Sequence, residues 1–225
     1  MQPEPIEDDG IWCQSLRPAQ AASLRGRPAL FLDRDGVLVA EVGYLHRPEE
    51  VRLIPGAAAL TAAANRAGLA AVLVTNQAGI GRGIYGWAEF EATQERISAE
   101  LAAAGAGLDM VIACPFHAEA EPPYRHPAHP CRKPRPGMIR RAAERLGLDL
   151  AGSWIVGDRA TDLEAGRAAG LAGGVHVLTG HGAAERDAAR EVATGAFRVL
   201  GAGSAAEVPA LLPLLAPPAS EIRPG

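Results

Sequence analysis

Short apolar runs recur along the chain and alternate with stretches of helical periodicity. The runs predict strands at residues 29–32, 70–74, 110–113, 154–156 and 175–178. Because apolar residues follow one another in these runs without alternation, they are typical of strands buried on both faces, as in a parallel sheet. Helical stretches between them span residues 56–67, 87–104, 137–146 and 162–169. The alternation of strand and helix predicts an α/β fold with a doubly wound parallel sheet.

Three segments depart from this alternation. Residues 115–136 are crowded with Pro, His and Arg and have no apolar periodicity, so we expect a long functional loop there. Residues 1–27 are interpreted as an N-terminal extension and residues 217–225 as a C-terminal tail, both at the periphery. Residues 28–216 then form the one folded domain, as a chain of 225 residues allows.

Composition and charge exclude several classes of partner. The hydrophobic share of 48% and the charged share of 21% are ordinary for a globular protein. A net charge of −4 offers no basic field for nucleic acid, so we expect none as a partner. There is no apolar run long enough to span a membrane, and the first ten residues lack the features of a signal peptide, so we expect a cytoplasmic protein. Three cysteines favour metal binding over a disulfide framework.

Candidate chemistry lies where the predicted strands end. Ligands of open α/β sheets bind outside the carboxyl ends of the strands, and the residues there are Asp33, Thr75, Cys114 and Asp158. Asp33 and Asp35 are one residue apart and point roughly the same way in an extended chain, so they can share a site with a bound cation. The alternative is a surface turn, because Asp-Gly is a common turn pair.

The segment after the second strand is rich in hydrogen-bond donors. It reads Val-Thr-Asn-Gln-Ala-Gly-Ile-Gly-Arg-Gly over residues 74–83, and its hydroxyl, amides and glycine backbone suit phosphate oxygens. The Gly-Lys-Ser/Thr ending of a Walker loop is absent, and the spacing does not fit the dinucleotide fingerprint. A flexible connection between strand and helix is the alternative.

A basic motif and an acidic motif complete the set. In Arg132-Lys133-Pro134-Arg135-Pro136-Gly137, the lysine suits a transferring phosphoryl group and the arginine a second anion, although such runs are often only solvated. The chain has no Cys-x5-Arg phosphatase loop from Cys131, because Gly137 takes the arginine position. Asp158 at a strand tip and Asp162 at a helix start suit magnesium, although Asp162 could be only a helix cap.

These four motifs, in this order, resemble the haloacid dehalogenase (HAD) superfamily of phosphatases. Thr-Asn-Gln-x-Gly-Ile-Gly-Arg-Gly followed by Arg-Lys-Pro-x-Pro-Gly-Met is similar to its heptose 1,7-bisphosphate phosphatases and their histidinol-phosphatase relatives. The resemblance covers roughly residues 29–180. It implies a magnesium-dependent phosphomonoester hydrolase, and the short intervals between the motifs leave no room for a large cap domain.

The resemblance also implies roles for individual residues. Asp33 would be the nucleophile that forms an aspartyl-phosphate, and Asp35 the general acid and then the base. Thr75 and Lys133 would hold the transferred phosphoryl group. Magnesium would be held by Asp33, Asp158 and the backbone carbonyl of Asp35, with Asp162 in support. The expected substrate contacts are Glu41, Val42, Gly43, Tyr44, Asn76, Gln77, Arg82, Arg132 and Arg159, and we expect a monomer that acts on a small phosphorylated metabolite.

A second metal site is predicted beside the irregular loop. Cys114, His117, His129 and Cys131 would make a closed tetrahedral zinc site. The related heptose enzymes typically carry Cys-x-His followed by Cys-x-Cys, so here one histidine is displaced by one place and His129 replaces a cysteine. His126 is a competing ligand, and a loop without zinc is the alternative.

Three functions stay open from the sequence. The first is hydrolysis of a sugar bisphosphate, and D-glycero-D-manno-heptose 1,7-bisphosphate is the expected substrate. The second is hydrolysis of histidinol phosphate, which the motifs do not exclude. The third is a phosphate-binding module without catalysis, and the intact pair Asp33 and Asp35 speaks against it.

Overall fold

A central sheet of seven strands organises the chain, as seen in a computed structural model that describes residues 5–215. The strands are β1 (Trp12–Ser15), β2 (Pro28–Leu32), β3 (Ala70–Asn76), β4 (Met110–Cys114), β5 (Asp149–Gly157), β6 (Gly173–Val177) and β7 (Arg198–Ala202). Their spatial order is β1-β4-β3-β2-β5-β6-β7. Only the β1–β4 pair is antiparallel. The predicted α/β fold with a doubly wound, mostly parallel sheet is confirmed.

Helices cover both faces of this sheet. They are α1 (Ala21–Leu24), α2 (Ala57–Arg66), α3 (Ala78–Gly81), α4 (Trp87–Ala103), α5 (Gly137–Leu146), α6 (Ala160–Ala169), α7 (Gly182–Glu191) and α8 (Val208–Leu211). Alternate residues of β2 enter two separate apolar clusters, Leu30 and Leu32 in one and Ala29 and Phe31 in the other. Helices α2 and α4 pack in the first cluster and α5 and α6 in the second. Burial on both faces explains why these strands are continuously apolar.

The N-terminal segment supplies an edge strand of the sheet. Strand β1 pairs with β4, and Trp12 lies opposite Ala113. The buried Trp12 ring stacks on Trp87 with centroids 5.4 Å apart and meets the edge of Phe90 at 5.3 Å. The interpretation of residues 1–27 as an N-terminal extension does not anticipate this strand, because its short sequence has no apolar run. The predicted tail at residues 217–225 lies outside the described residues.

Two further elements, β7 and α7, were not predicted from the sequence patterns. Strand β7 is an edge strand of mixed polarity, and α7 buries only Gly182 and Ala189 among many charged side chains. Neither has the apolar periodicity from which β2 to β6 and the helices α2, α4, α5 and α6 were predicted. Between Cys114 and Gly137 the structure has neither helix nor strand, so the prediction of a long loop there is confirmed. Within residues 5–215, no helix is long and apolar enough to cross a membrane.

Candidate active site

The carboxyl ends of three adjacent strands bring the predicted acidic and hydroxyl side chains together. Strand β2 lies between β3 and β5, so Asp33, Thr75 and Asp158 meet at one edge of the sheet. They line a cavity of about 610 Å³. All the predicted catalytic, substrate-binding and magnesium-site residues line this cavity except Val42, whose 53% exposure instead places it in solvent.

Lys133 is the centre of positive charge in this cavity. It is the single lysine of the chain and is only 4% exposed. Its Nζ lies 2.9 Å from Asp33 Oδ1 and 2.6 Å from Asp162 Oδ1, and it donates to the Val74 carbonyl at 3.0 Å. Burial by itself lowers the pKa of Lys133, but Asp162 and Asp33 more than offset this and hold it above its usual range. Lys133 therefore stays charged.

The Lys133 backbone is fixed by Asn76. The Asn76 Oδ1 accepts from the Lys133 N–H at 3.1 Å, and Asn76 Nδ2 donates to the Lys133 carbonyl at 3.2 Å. This reciprocal pair uses both ends of the amide. Asn76 was predicted to contact substrate, and although it lines the cavity, its recorded hydrogen bonds instead position the lysine. The alternative of a solvated basic stretch at Lys133 is wrong.

Three buried carboxylates form a group suited to a cation. Ligand oxygens of Asp33, Asp158 and Asp162 all lie within 4.8 Å of one another. Burial, followed by the negative charge of Asp33, raises the pKa of Asp158 to about 7. Lys133 neutralises only part of this charge, so a bound cation would relieve the remaining repulsion. Carboxylate oxygens are hard ligands that fit Mg²⁺. The donor set therefore fits magnesium.

The Asp158 carboxylate is packed against backbone. It accepts from the His181 N–H at 2.8 Å, and Gly36 lies directly against it with φ of +81°. A side chain at Gly36 would strike the carboxylate as well as strain the backbone. The segment from Asp33 to Gly36 is largely buried, so the alternative of a surface turn is wrong.

The Asp35 side chain does not join the carboxylate group. Both of its oxygens instead accept from Arg34 Nε, at 3.2 and 3.1 Å, and Arg34 Nη2 adds a further bond at 3.1 Å. Gln77 Nε2 donates to Asp35 Oδ2 at 3.2 Å. Arg34 is fully buried and lies over the Phe90 ring. This geometry matches an Asp35 that would reach a metal only through its backbone carbonyl.

Arginine side chains gather on the other side of the cavity. Arg82, Arg132 and Arg159 all line it. Burial, with the positive charges of Arg82 and Arg159, lowers the pKa of Arg132. Arg132 donates to the Phe116 carbonyl at 3.1 Å, and Arg82 is held by Tyr44 and Glu119 at 2.9 Å each. Like charges at this density favour an anionic ligand.

The loop from Glu41 to Tyr44 closes one edge of the cavity. The Glu41 carboxylate accepts from the Gly43 N–H and lies 3.6 Å from His181 Nε2. Tyr44 reaches across to Arg82. Glu41, Gly43 and Tyr44 therefore line the cavity, and contact between this loop and a substrate stays a prediction.

The structure does not assemble the predicted zinc ligands. Among residues 5–215, the three carboxylates are the only group of three or more His, Cys, Asp or Glu side chains with metal-binding spacing. His117 lines the active-site cavity, and its Nδ1 accepts from the Glu119 N–H at 3.0 Å. His129 stacks on Phe116 with centroids 3.8 Å apart. Burial raises the pKa of Cys114 to about 12. The zinc site therefore stays a prediction without structural support.

Several cavity residues were missed by the sequence analysis. Arg34, Tyr85 and His181 line the cavity, as do Thr161 and His117, the last of which the sequence analysis placed only in the zinc site. Arg34 stands between the two predicted catalytic aspartates, so its position was a usable signal. Tyr85 and His181 lie in loops, where spacing alone does not show which way a side chain points.

Known proteins with similar sequences are HAD-like phosphatases. The HAD-hydrolase-like family matches residues 130–200. The D-glycero-beta-D-manno-heptose-1,7-bisphosphate 7-phosphatase of Mesorhizobium japonicum is 44% identical over 76% of this chain and 78% of its own. That of Vibrio cholerae is 40% identical over 68% of this chain and 83% of its own. The chain belongs to this heptose-bisphosphate phosphatase family of HAD-like hydrolases.

Solved structures extend the family likeness to the fold. A protein described as a HAD-like phosphatase from Mesorhizobium loti has a TM-score of 0.81 and 37% identity, covering 95% of this chain and 96% of its own. The D,D-heptose 1,7-bisphosphate phosphatase of B. bronchiseptica, complexed with magnesium and phosphate, has a TM-score of 0.68 and 34% identity. It covers 80% of this chain and 95% of its own. The resemblance drawn from the four motifs is confirmed.

Proposed function

We propose that the chain is a magnesium-dependent phosphatase that removes the 7-phosphate of D-glycero-β-D-manno-heptose 1,7-bisphosphate and leaves the 1-phosphate. The observation that carries the proposal is the pairing of Lys133 with Asp33 beside Asp158 and Asp162 in one cavity. That arrangement combines a nucleophile, a fixed cation and a metal-binding set of carboxylates. The identity of the sugar is taken from the substrate named for the relatives.

Asp33 is oriented for attack on phosphorus. Its Oδ1 accepts from the Arg34 N–H at 2.7 Å and contacts Lys133 Nζ. With Oδ1 held in this way, Oδ2 is the oxygen to form a bond to phosphorus while the bond to the sugar oxygen breaks. Asp35 gives its proton to the departing alkoxide. Lys133 and Thr75 hold the phosphoryl oxygens.

Water completes the reaction. Asp35, now ionised, accepts a proton from a water molecule as the water oxygen attacks phosphorus, and the bond to Asp33 breaks to regenerate its carboxylate. The contacts of Asp35 with Arg34 and Gln77 suit the ionised form needed for this step. Mg²⁺, held by Asp33, Asp158 and the Asp35 carbonyl, would supply charge neutralisation at the phosphoryl oxygens.

The cavity has room and charge for a second phosphate. Its volume of about 610 Å³ lies within the range of small-molecule sites. Lys133 serves the transferred group, so Arg132, which gives Nη1 to the Phe116 carbonyl, keeps its other N–H groups for the distal phosphate, with Arg82 and Arg159 nearby. Guanidinium groups bind phosphate through two parallel hydrogen bonds. This side of the cavity favours a bisphosphate over a monophosphate.

We expect activity to depend on magnesium. Chelation followed by extensive dialysis should abolish phosphate release, and added Mg²⁺ should restore it, because three buried carboxylates and a phosphate dianion repel one another without a cation. Phosphate release measured before and after readdition checks this. Full activity in excess chelator would contradict the assigned metal site.

Substitution of Arg132 should separate bisphosphates from monophosphates. Arg132→Ala should raise the Michaelis constant for a bisphosphate far more than for a monophosphate, by about 1–3 kcal/mol in apparent binding. Steady-state kinetics on both substrates measure the difference. Arg190→Ala is the matched control, because the Arg190 side chain is 72% exposed and does not line this cavity. An equal loss of turnover on both substrates would instead mean that Arg132 only neutralises the carboxylates.

A substrate panel tests the proposal as a whole. Phosphate release should be measured with magnesium on heptose bisphosphates, other sugar bisphosphates and histidinol phosphate. The heptose bisphosphate should show the highest kcat/KM. If histidinol phosphate outcompetes every sugar bisphosphate, the alternative of a histidinol-phosphatase replaces the heptose assignment. No release from any phosphomonoester would favour a binding module without catalysis.

Some predictions from the sequence carry over as parts of this proposal. As the sequence predicts, we propose that the protein acts as a cytoplasmic monomer. We propose no nucleic-acid or membrane partner for it. The boundary at residue 28 stays a prediction, although β1 already belongs to the sheet. Structural zinc also stays a prediction, separate from the proposed chemistry.

A further inference from the structure

Tyr85 is a buried side chain at the cavity that has no role in the steps above. It is 8% exposed, and His46 stacks on its ring with centroids 5.3 Å apart. Gly79 lies so close to the ring that a side chain there would collide with it. The Tyr85 hydroxyl donates to Gln77 Oε1. Burial raises the pKa of Tyr85 to about 12, so the phenol keeps the proton that it donates.

The orientation of the Gln77 amide is decided by Asp35. The buried Arg34 guanidinium donates to both Asp35 oxygens, so both oxygens are acceptors in this arrangement. Gln77 therefore has to present Nε2 to Asp35 Oδ2, 3.2 Å away, because Oε1 in that place would set two acceptors against each other. The opposite end, Oε1, then faces Tyr85 and needs a donor there.

This orientation also determines the direction of the Thr75 hydroxyl. Gln77 Nε2 donates to Thr75 Oγ1 at 2.8 Å. Since Oγ1 accepts this bond, the proton of Thr75 has to be directed to another acceptor. Thr75 is 1% exposed and lines the cavity together with Asp33 and Lys133. A phosphoryl oxygen bound beside Asp33 and Lys133 during turnover would be such an acceptor.

We propose that Tyr85 and Gln77 are positioning residues that direct the Thr75 hydroxyl proton toward the transferring phosphoryl group. The inference rests on the proposed phosphatase activity and deepens it. Gln77 was predicted to bind substrate, and here it acts through Thr75 and Asp35. Without the Tyr85 donor, Gln77 Oε1 is buried without a partner, which weakens the amide orientation that Asp35 favours.

Substitution of Tyr85 by phenylalanine removes only the hydroxyl. The ring and its packing against His46 and Gly79 stay, so a purely structural role predicts unchanged kinetics. We expect Tyr85→Phe to lower kcat about 10-fold and to change KM less than twofold, since the lost bond acts on transition-state stabilisation. Circular dichroism and thermal melting check that the variant is folded.

A double-mutant cycle tests whether Tyr85 acts through Thr75. In a Thr75→Val background there is no hydroxyl to direct, so Tyr85→Phe should lower kcat less than twofold. In a Gln77→Leu background, Tyr85→Phe should likewise have almost no further effect. Unchanged kcat in Tyr85→Phe, or the same fold-loss in all backgrounds, would overturn the inference.

The choice of substrate separates a failure of the positioning role from a failure of the heptose assignment. They use p-nitrophenyl phosphate, or any phosphomonoester in the panel that the wild type hydrolyses. If the wild type hydrolyses a phosphomonoester and Tyr85→Phe has no effect, only the positioning role fails. If the wild type hydrolyses none, the proposed function and the inference fail together.

Discussion

Asp33→Asn should lower turnover by on the order of 10³-fold or more and leave the fold intact. An amide cannot form the bond to phosphorus, and it binds a cation more weakly than a carboxylate does. The substitution also removes one negative charge beside Asp158 and Asp162, and Lys133 keeps its ion pair with Asp162, so thermal stability should change little. Initial rates with saturating magnesium, together with thermal melting, measure both effects.

Asp187→Asn is the matched control for this experiment. Asp187 lies on α7 with 93% of its side chain exposed, outside the cavity, so the same chemical change there should leave the rates unaltered. Near-normal activity of Asp33→Asn would refute the nucleophile assignment and leave the cavity without an attacking group.

Lys133→Met should lower both activity and stability. The substitution leaves Asp33 and Asp162 without their shared cation in a buried site. We expect kcat to fall on the order of 10²-fold to 10³-fold, as for other lost contacts to developing charge. The free energy of unfolding should fall by about 3 kcal/mol, because breaking a buried ion pair leaves uncompensated charge. Steady-state kinetics and denaturant unfolding measure the two effects.

Lys133→Arg separates charge from shape. Arginine keeps the charge, but its planar fork is larger than an ammonium group that fits between two carboxylates and the Val74 carbonyl. This variant should recover part of the stability and little of the activity. If Lys133→Met kept turnover within a few-fold of the wild type, the lysine would not hold the phosphoryl group.

Much of the site could be predicted because strand ends carry local signals. Asp33, Thr75 and Asp158 each follow an apolar run, and the parallel pairing of β2, β3 and β5 brings such positions together by geometry alone. Lys133 follows no strand, and its place depended on the family resemblance. The structure shows how the long loop reaches the sheet, through the reciprocal bonds between Asn76 and the Lys133 backbone.

The features that could not be predicted from the sequence depend on contacts with residues elsewhere in the chain. Strand β1 has too few residues for a recognisable pattern, and only its pairing with β4 reveals it. The direction of the Asp35 side chain depends on Arg34 and Gln77, which no spacing rule encodes. The spacing of His117 and His129 predicts a zinc site, which stays a prediction, while the structure places His117 at the cavity and stacks His129 on Phe116.

The most direct test of the proposed function follows both phosphates of one substrate by ³¹P NMR. D-glycero-β-D-manno-heptose 1,7-bisphosphate is incubated with the enzyme and Mg²⁺, and the resonances of the 1- and 7-phosphates are recorded over time. The proposal predicts that the 7-phosphate resonance is replaced by inorganic phosphate while the 1-phosphate resonance persists. Loss of the 1-phosphate first, or persistence of both resonances, would contradict it.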